Sequence, residues 1–153
     1  MNVQANTVLM NTPFRGIDKM TEVYFIGIGG IGMSAIARFF HAGGVKVSGY
    51  DKTPTVLTKE LEVSGIKVHY EENVELVPKN VDLVVYTPAI PAEHKELVYY
   101  QTNGYKVVKR SDVLQIISES SFNICIAGTH GKTTITTMVA HLLRDSGFGS
   151  NAF

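Results

Sequence analysis

From residue 22 onward the apolar positions of the chain fall into blocks whose period switches in a regular way. Val23–Ile28 is a short unbroken apolar run that ends in glycines, the pattern of a strand covered on both faces. In Ile31–His41 the period lengthens: Met33, Ile36, Ala37 and Phe40 share one helical face, and Gly43-Gly44 ends the helix because glycine accepts the left-handed cap conformation. Val45–Tyr50 reads as a second strand and delivers Asp51 at its C-terminal end. Thr53-Pro54 predicts a helix to about Ser64, with Pro54 in its first position and Gly65 at its stop. Ile66–Tyr70 and Val81–Thr87 follow as strands, and the two prolines of Thr87-Pro88-Ala89-Ile90-Pro91 require a loop, since proline has no backbone donor. Ala92–Asn103 predicts a helix and Lys106–Lys109 a strand. Ser111 or Asp112 is then expected to cap a helix whose Val113, Ile116 and Ile117 share a face.

Ser118-Glu119-Ser120-Ser121 reads as a linker, after which the pattern restarts. Phe122–Ala127 predicts another buried strand with Cys125 inside it as a small hydrophobe. Gly128–Gly131 is a glycine-bounded loop, and Lys132–Asp145 a helix with Ile135, Met138, Val139, Leu142 and Leu143 on one stripe. Strands alternating with helices imply an α/β fold. The expectation is a Rossmann-like, doubly wound parallel sheet over 21–118, preceded by a flexible extension over 1–20. Residues 119–153 are expected to start a second α/β unit as strand, phosphate loop and helix. Ligands of such a sheet bind beyond its C-terminal strand ends, where strand order reverses.

Composition narrows the classes of function. The chain has 153 residues with 14 Lys+Arg and 14 Asp+Glu, so it offers no broad electrostatic grip on nucleic acid or an anionic membrane. Apolar residues make up 44% and charged residues 18%, which favours a packed core over disorder. A single cysteine excludes an internal disulfide. No signal-peptide pattern and no long apolar run stand in the sequence, so a soluble, cytoplasmic protein is expected. His41, His69, His94 and His141 show no metal-ligand spacing. Lys106, Lys109 and Arg110 read as a solvated strand end with a phosphate contact as the alternative, and Tyr99-Tyr100 as packing at the sheet edge.

Two phosphate signatures carry the chemistry. Gly27-Ile28-Gly29-Gly30-Ile31-Gly32 is a G-x-G-x-x-G between a strand and a helix. Gly27 suits the tight turn, Gly29 lets a pyrophosphate approach the backbone, and Gly32 lets helix and strand pack closely. Backbone N–H groups and the positive end of the helix then hold the anion. Asp51 can accept hydrogen bonds from ribose hydroxyls, or serve a turn or helix cap. The second signature is Gly128-Thr129-His130-Gly131-Lys132-Thr133-Thr134. Ile126 stands where the strict G-x-x-x-x-G-K-[ST] pattern has glycine, but the G-K-T core is present. There Lys132 can reach β/γ oxygens and Thr133 can ligate Mg²⁺.

These residues together resemble the Mur ligases of peptidoglycan synthesis. The similarity runs through Tyr24–Ser34, Ser48-Gly49-Tyr50-Asp51, Thr87-Pro88-Ala89-Ile90, Arg110–Leu114 and the G-T-H-G-K-T-T loop, and covers about 22–149. Glu71-Glu72 stand where the family often has Gly-His, so no role passes to His69; Pro88 stands where a small residue is common, which leaves the loop in place but not its side-chain contacts. The resemblance implies three domains, for a UDP substrate, ATP and an amino acid. It assigns the pyrophosphate to Gly27–Gly32, the uridine to Asp51 and Thr87, Pro88, Ala89 and Ile90, and ATP with Mg²⁺ to 128–134. Its His130 favours the member that joins L-alanine to UDP-N-acetylmuramate. In that reaction ATP phosphorylates the lactyl carboxylate and the amine attacks the acyl phosphate, with Lys132 stabilising the transferring phosphoryl group. The family's further Mg²⁺ ligands and its amino-acid domain would lie beyond Phe153. The 153 residues are therefore expected to bind the UDP substrate without ligase turnover, with the 122–145 unit mobile or packed non-natively and Met138, Val139 and Leu142 exposed. A peptide-joining recycling ligase, an NAD-dependent oxidoreductase using Gly27–Gly32 and Asp51, and a nucleotide-sensing module are the alternatives.

Overall fold

The computed structural model describes residues 19–119 and 122–147, so residues 1–18 of the expected extension lie outside the described residues. Ten elements follow in chain order: β1 (Glu22–Ile26), α1 (Ile31–Ala42), β2 (Lys46–Tyr50), α2 (Val56–Val63), β3 (Lys67–His69), β4 (Leu83–Tyr86), α3 (Lys95–Thr102), β5 (Val107–Lys109), α4 (Arg110–Glu119) and α5 (Lys132–Asp145). The five strands form one parallel sheet in the order β3-β2-β1-β4-β5. Strand order therefore reverses between β1 and β4, and the crevice beyond Ile26 and Tyr86 is the switch point.

Side chains alternate across a strand, so each strand feeds two cores. On one face Val23, Phe25, Val47, Leu83 and Val85 pack with Met33, Ile36, Ala37 and Phe40 of α1, Leu61 of α2, and Val113 and Ile117 of α4. On the other, Tyr24, Ile26, Tyr50 and Val84 pack with Leu97 and Tyr100 of α3 and Val77 of the β3–β4 crossover. Helices thus cover both faces, as a doubly wound fold requires. The start of β1 is tied to β4 by Asp82, whose Oδ2 accepts from the Thr21 N–H at 2.6 Å and the Glu22 N–H at 3.0 Å. Tyr100 packs as expected of the Tyr99-Tyr100 pair: it is fully buried and its hydroxyl donates to the Pro78 carbonyl.

Several boundaries differ from the sequence pattern for local reasons. Helix α2 begins after Thr55, not at Pro54, because Thr55 and Thr58 form a reciprocal capping box. Helix α3 starts at Lys95 rather than Ala92, since Pro91–His94 closes a turn through the His94 N–H and the Pro91 carbonyl. Helix α4 already includes Arg110; Asp112 acts from inside it, reaching back to accept the Lys109 N–H at 3.2 Å. The largest correction concerns 122–127, which forms no strand, and with it Cys125, which is exposed rather than buried. A strand needs a paired edge, and none of the described strands pairs with this segment. Helix α5 forms where expected but buries no residue; Met138 and Leu142 are exposed and Val139 is half-buried. Among the described residues no helix is long and apolar enough to cross a membrane.

Candidate functional site

The glycine loop is shaped by its neighbours before any ligand is considered. Gly27 has φ of 87°, open to glycine at little cost, and the N–H groups of Gly27 and Ile28 both donate to the Tyr50 carbonyl at 2.8 and 3.0 Å. That pins the loop to the end of β2. A Cβ on Gly27 would stand 2.8 Å from Thr87 Cγ2 and 3.4 Å from Ile90 Cδ1, so the loops after β1 and β4 meet here. Ile90 N–H donates to the Thr87 carbonyl, turning Pro88 and Ala89 outward to solvent.

The loop leads into the N-terminus of α1. Gly30 is the N-cap, no side chain caps it, and no acidic residue lies in the first turn. The first turn of a helix presents N–H groups without intrahelical partners and carries the positive end of its dipole. The Gly29 N–H donates to Asp51 Oδ2 at 2.7 Å, and Asp51 Oδ1 accepts from Thr53 N–H at 3.3 Å. Asp51 thus touches the loop directly, and its own N–H donates to the His69 carbonyl at 3.1 Å. The Arg110 guanidinium lies against Gly32, in the space a side chain there would fill. Arg110 is exposed, as its reading as a solvated position expects, and from the start of α4 its guanidinium also reaches the glycine loop. Gly27–Gly32, Asp51, Thr87 and Ile90 are therefore gathered in one crevice, joined by Arg110.

The second loop stands apart in sequence and has its own geometry. Gly131 has φ of 78° and caps α5 without a side-chain hydrogen bond. Lys132 Nζ folds back to donate to the Gly128 carbonyl at 2.7 Å. Lys132 and Thr133 thus stand exposed at a helix start with no side-chain cap, where the positive end of the helix dipole lies. Among the described residues no group of three or more His, Cys, Asp or Glu could hold a metal ion.

A buried polar cluster flanks the crevice and was not foreseen from the sequence. Tyr24 Oη of β1 lies 2.6 Å from both Glu96 Oε2 and His69 Nε2. His69 Nδ1 donates to the Glu71 carbonyl, and the Asn73 N–H donates to Glu96 Oε1 at 3.1 Å. Burial pushes the Glu96 carboxyl up to about 7, lifts the Tyr24 hydroxyl further above its ordinary value, and lowers His69. The one sequence signal was a glutamate on the covered face of α3, four residues before Tyr100.

Residues 22–121 match the model of the Mur ligase family, catalytic domain. A UDP-N-acetylmuramate–L-alanine ligase of Porphyromonas gingivalis is 54% identical over 139 residues, which cover 88% of this chain and 30% of that protein. The corresponding ligase of Parabacteroides distasonis is also 54% identical, over 142 residues, with 31% of its length covered. Among solved structures, the UDP-N-acetylmuramate-alanine ligase of Thermotoga maritima superimposes with a TM-score of 0.75 at 32% identity, covering 84% of this chain and 30% of that one. A murein peptide ligase from Psychrobacter arcticus gives 0.75 at 29% identity, with 83% and 27% covered. The chain spans about 30% of the length of the curated relatives it matches.

Proposed function

The chain belongs to the Mur ligase family, and from that premise we propose that it supplies the UDP-substrate site of a UDP-N-acetylmuramate–L-alanine ligase. In this reading residues 21–118 are the UDP-binding domain and 119–153 begin the ATP-binding one. The observation that carries it is the crevice at the switch point: an uncapped helix start behind Gly27–Gly32, with Arg110 against Gly32. A pyrophosphate there would be held by backbone N–H groups, the helix dipole and one guanidinium, which is why the neutral chain needs no basic excess. Asp51 and the Thr87–Ile90 turn stand where the uridine would lie.

ATP, with Mg²⁺, would supply the phosphoryl group that activates the lactyl carboxylate. Toward it this chain offers the Gly128–Thr134 loop: Lys132 would exchange its carbonyl contact for phosphate oxygens, and the Thr133 hydroxyl would give one oxygen ligand to the metal. Identities of 54% to relatives named for L-alanine favour that amino acid over a peptide. The exposed thiol of Cys125 suits a reducing cytoplasm.

Calorimetric titration of the chain with UDP-N-acetylmuramate, UDP and NAD⁺ tests the proposal. Binding of both uridine ligands and none of NAD⁺ is expected; NAD⁺ binding without the UDP sugar would overturn it. Arg110→Ala should weaken the UDP sugar about tenfold, the worth of one charge-assisted hydrogen bond, and leave Tm unchanged because Arg110 is exposed. Equal affinity in the variant would remove Arg110 from the site.

A further inference from the structure

The cluster behind the crevice contains more acceptors than its hydrogen atoms can serve. Tyr24 Oη stands 2.6 Å from both Glu96 Oε2 and His69 Nε2, and a phenol has one proton to donate. His69 Nδ1 faces the Glu71 carbonyl, which only accepts, so the neutral imidazole keeps its hydrogen there and leaves Nε2 bare. An ionised Glu96 with a neutral His69 would then leave two acceptors facing one hydroxyl, and one 2.6 Å contact would be lone pair against lone pair. One added proton removes the conflict in either of two ways. On Glu96, it lets the carboxyl donate to Tyr24 and Tyr24 donate to His69. On His69, it lets the imidazolium donate to Tyr24 and Tyr24 donate to Glu96. The two forms differ by a shift of two protons along one line.

We propose that Glu96, Tyr24 and His69 share one buried proton, and that Glu96 is through it a positioning residue for the uridine-diphosphate site. The link to that site is continuous. The carbonyl of His69 accepts from the Asp51 N–H at 3.1 Å, and Asp51 Oδ2 accepts from the Gly29 N–H at 2.7 Å. The shared proton therefore fixes the end of β3 from which Asp51, and then Gly29, take their places. Burial lifts Glu96 and lowers His69, which puts the proton on Glu96. The groups facing it are Tyr24 from β1, Tyr50 from β2, His69 from β3, Glu72 and the Asn73 N–H from the crossover, and Tyr100 from α3. Glu72 is the charged one beside Glu96, and it raises the Glu96 carboxyl further. His94, buried against Tyr50 with both ring nitrogens unpartnered, faces His69 and Glu72. A carboxyl raised in the folded state stabilises fully below its ordinary range, and that contribution is lost as pH rises through about 7. The proton then leaves to solvent and the tie loosens.

The positioning role rests on the proposed UDP site; the shared proton does not. The test uses UDP-N-acetylmuramate, whose pyrophosphate diester lacks the phosphate ionisation near about pH 6 that a terminal phosphate has. Between about pH 6 and about pH 8.5 the wild-type chain should lose roughly threefold to tenfold in affinity. Glu96→Gln carries an amide donor in place of the carboxyl proton and should bind with a flat profile at the low-pH affinity. Parallel profiles in the two proteins, flat or sloping, would overturn the positioning role. In the ligand-free wild type, NMR titration of the His69 ring and the Glu96 carboxyl should give one common midpoint, and separate midpoints would overturn the shared proton. That arm stands even where Glu96→Gln fails to fold. Absence of UDP-sugar binding at every pH would overturn the UDP site and with it the positioning role, while the NMR midpoint still decides the proton.

Discussion

Gly29→Val is expected to weaken UDP-N-acetylmuramate binding at least ~100-fold, about 2.8 kcal/mol, by calorimetry. A Cβ at Gly29 would stand 2.7 Å from Thr58 Cγ2 and 2.8 Å from Asp51 Oδ2, so valine must push the α2 cap and the Asp51 carboxylate away from the loop. The Gly29 N–H, which now meets Asp51, would be screened by the new side chain, and a pyrophosphate could no longer lie flat on the backbone. The fold should survive, because Gly29 lies outside both cores and its crowded neighbours are side chains; the cost to stability should stay within about 1–3 kcal/mol. A variant with a normal melting curve and wild-type affinity would remove the loop from the site.

The largest expected loss of stability lies one strand away. Gly49→Ala should destabilise the chain by roughly 3 kcal/mol or more and lower Tm by more than about 10 °C in thermal denaturation. Gly49 is paired with Phe25 in the β1–β2 ladder, and a Cβ there would stand 2.5 Å from the Phe25 carbonyl oxygen and 2.9 Å from Ile28 Cδ1. A side chain can rotate away, but a ladder carbonyl cannot move without separating the strands. The methyl group would therefore open the sheet beside the turn that Tyr50 holds through Gly27 and Ile28. Wild-type stability in this variant would mean that β1 and β2 tolerate a wider spacing than their register implies.

The sheet was readable from the chain because its signals are local. An unbroken apolar run located β1, a period-3.6 block located α1, and the stretch ending at Tyr50 was legible as β2. Tyr100 could be read as packing for the same reason. The misread features depend on partners distant in sequence. Phe122–Ala127 has a strand's composition but no strand beside it, so Cys125 is exposed. Arg110 is solvated as its pattern suggested, but its place against Gly32 follows only from the packing of α4. Glu96 looks like an ordinary acidic residue in the first turn of α3, and its burial follows only from the Tyr24 and His69 that meet it from other strands. The α2 boundary moved for a smaller reason: the Thr55–Thr58 box outcompeted the preference of Pro54 for a first turn.

Amide-resolved NMR of the 153-residue chain titrated with UDP-N-acetylmuramate is the most direct measurement. The switch-point crevice predicts the largest shifts at Gly29, Ile31 and Gly32, with Asp51 and the Thr87–Ile90 turn moving at the same ligand concentration. A competing concavity of about 940 Å³ runs under the crossover toward the opposite end of the sheet, where Lys46, Lys67 and Pro78 line it. Shifts confined to that groove, with Gly29 and Ile31 unmoved, would contradict the assignment of the UDP sugar to the glycine loop.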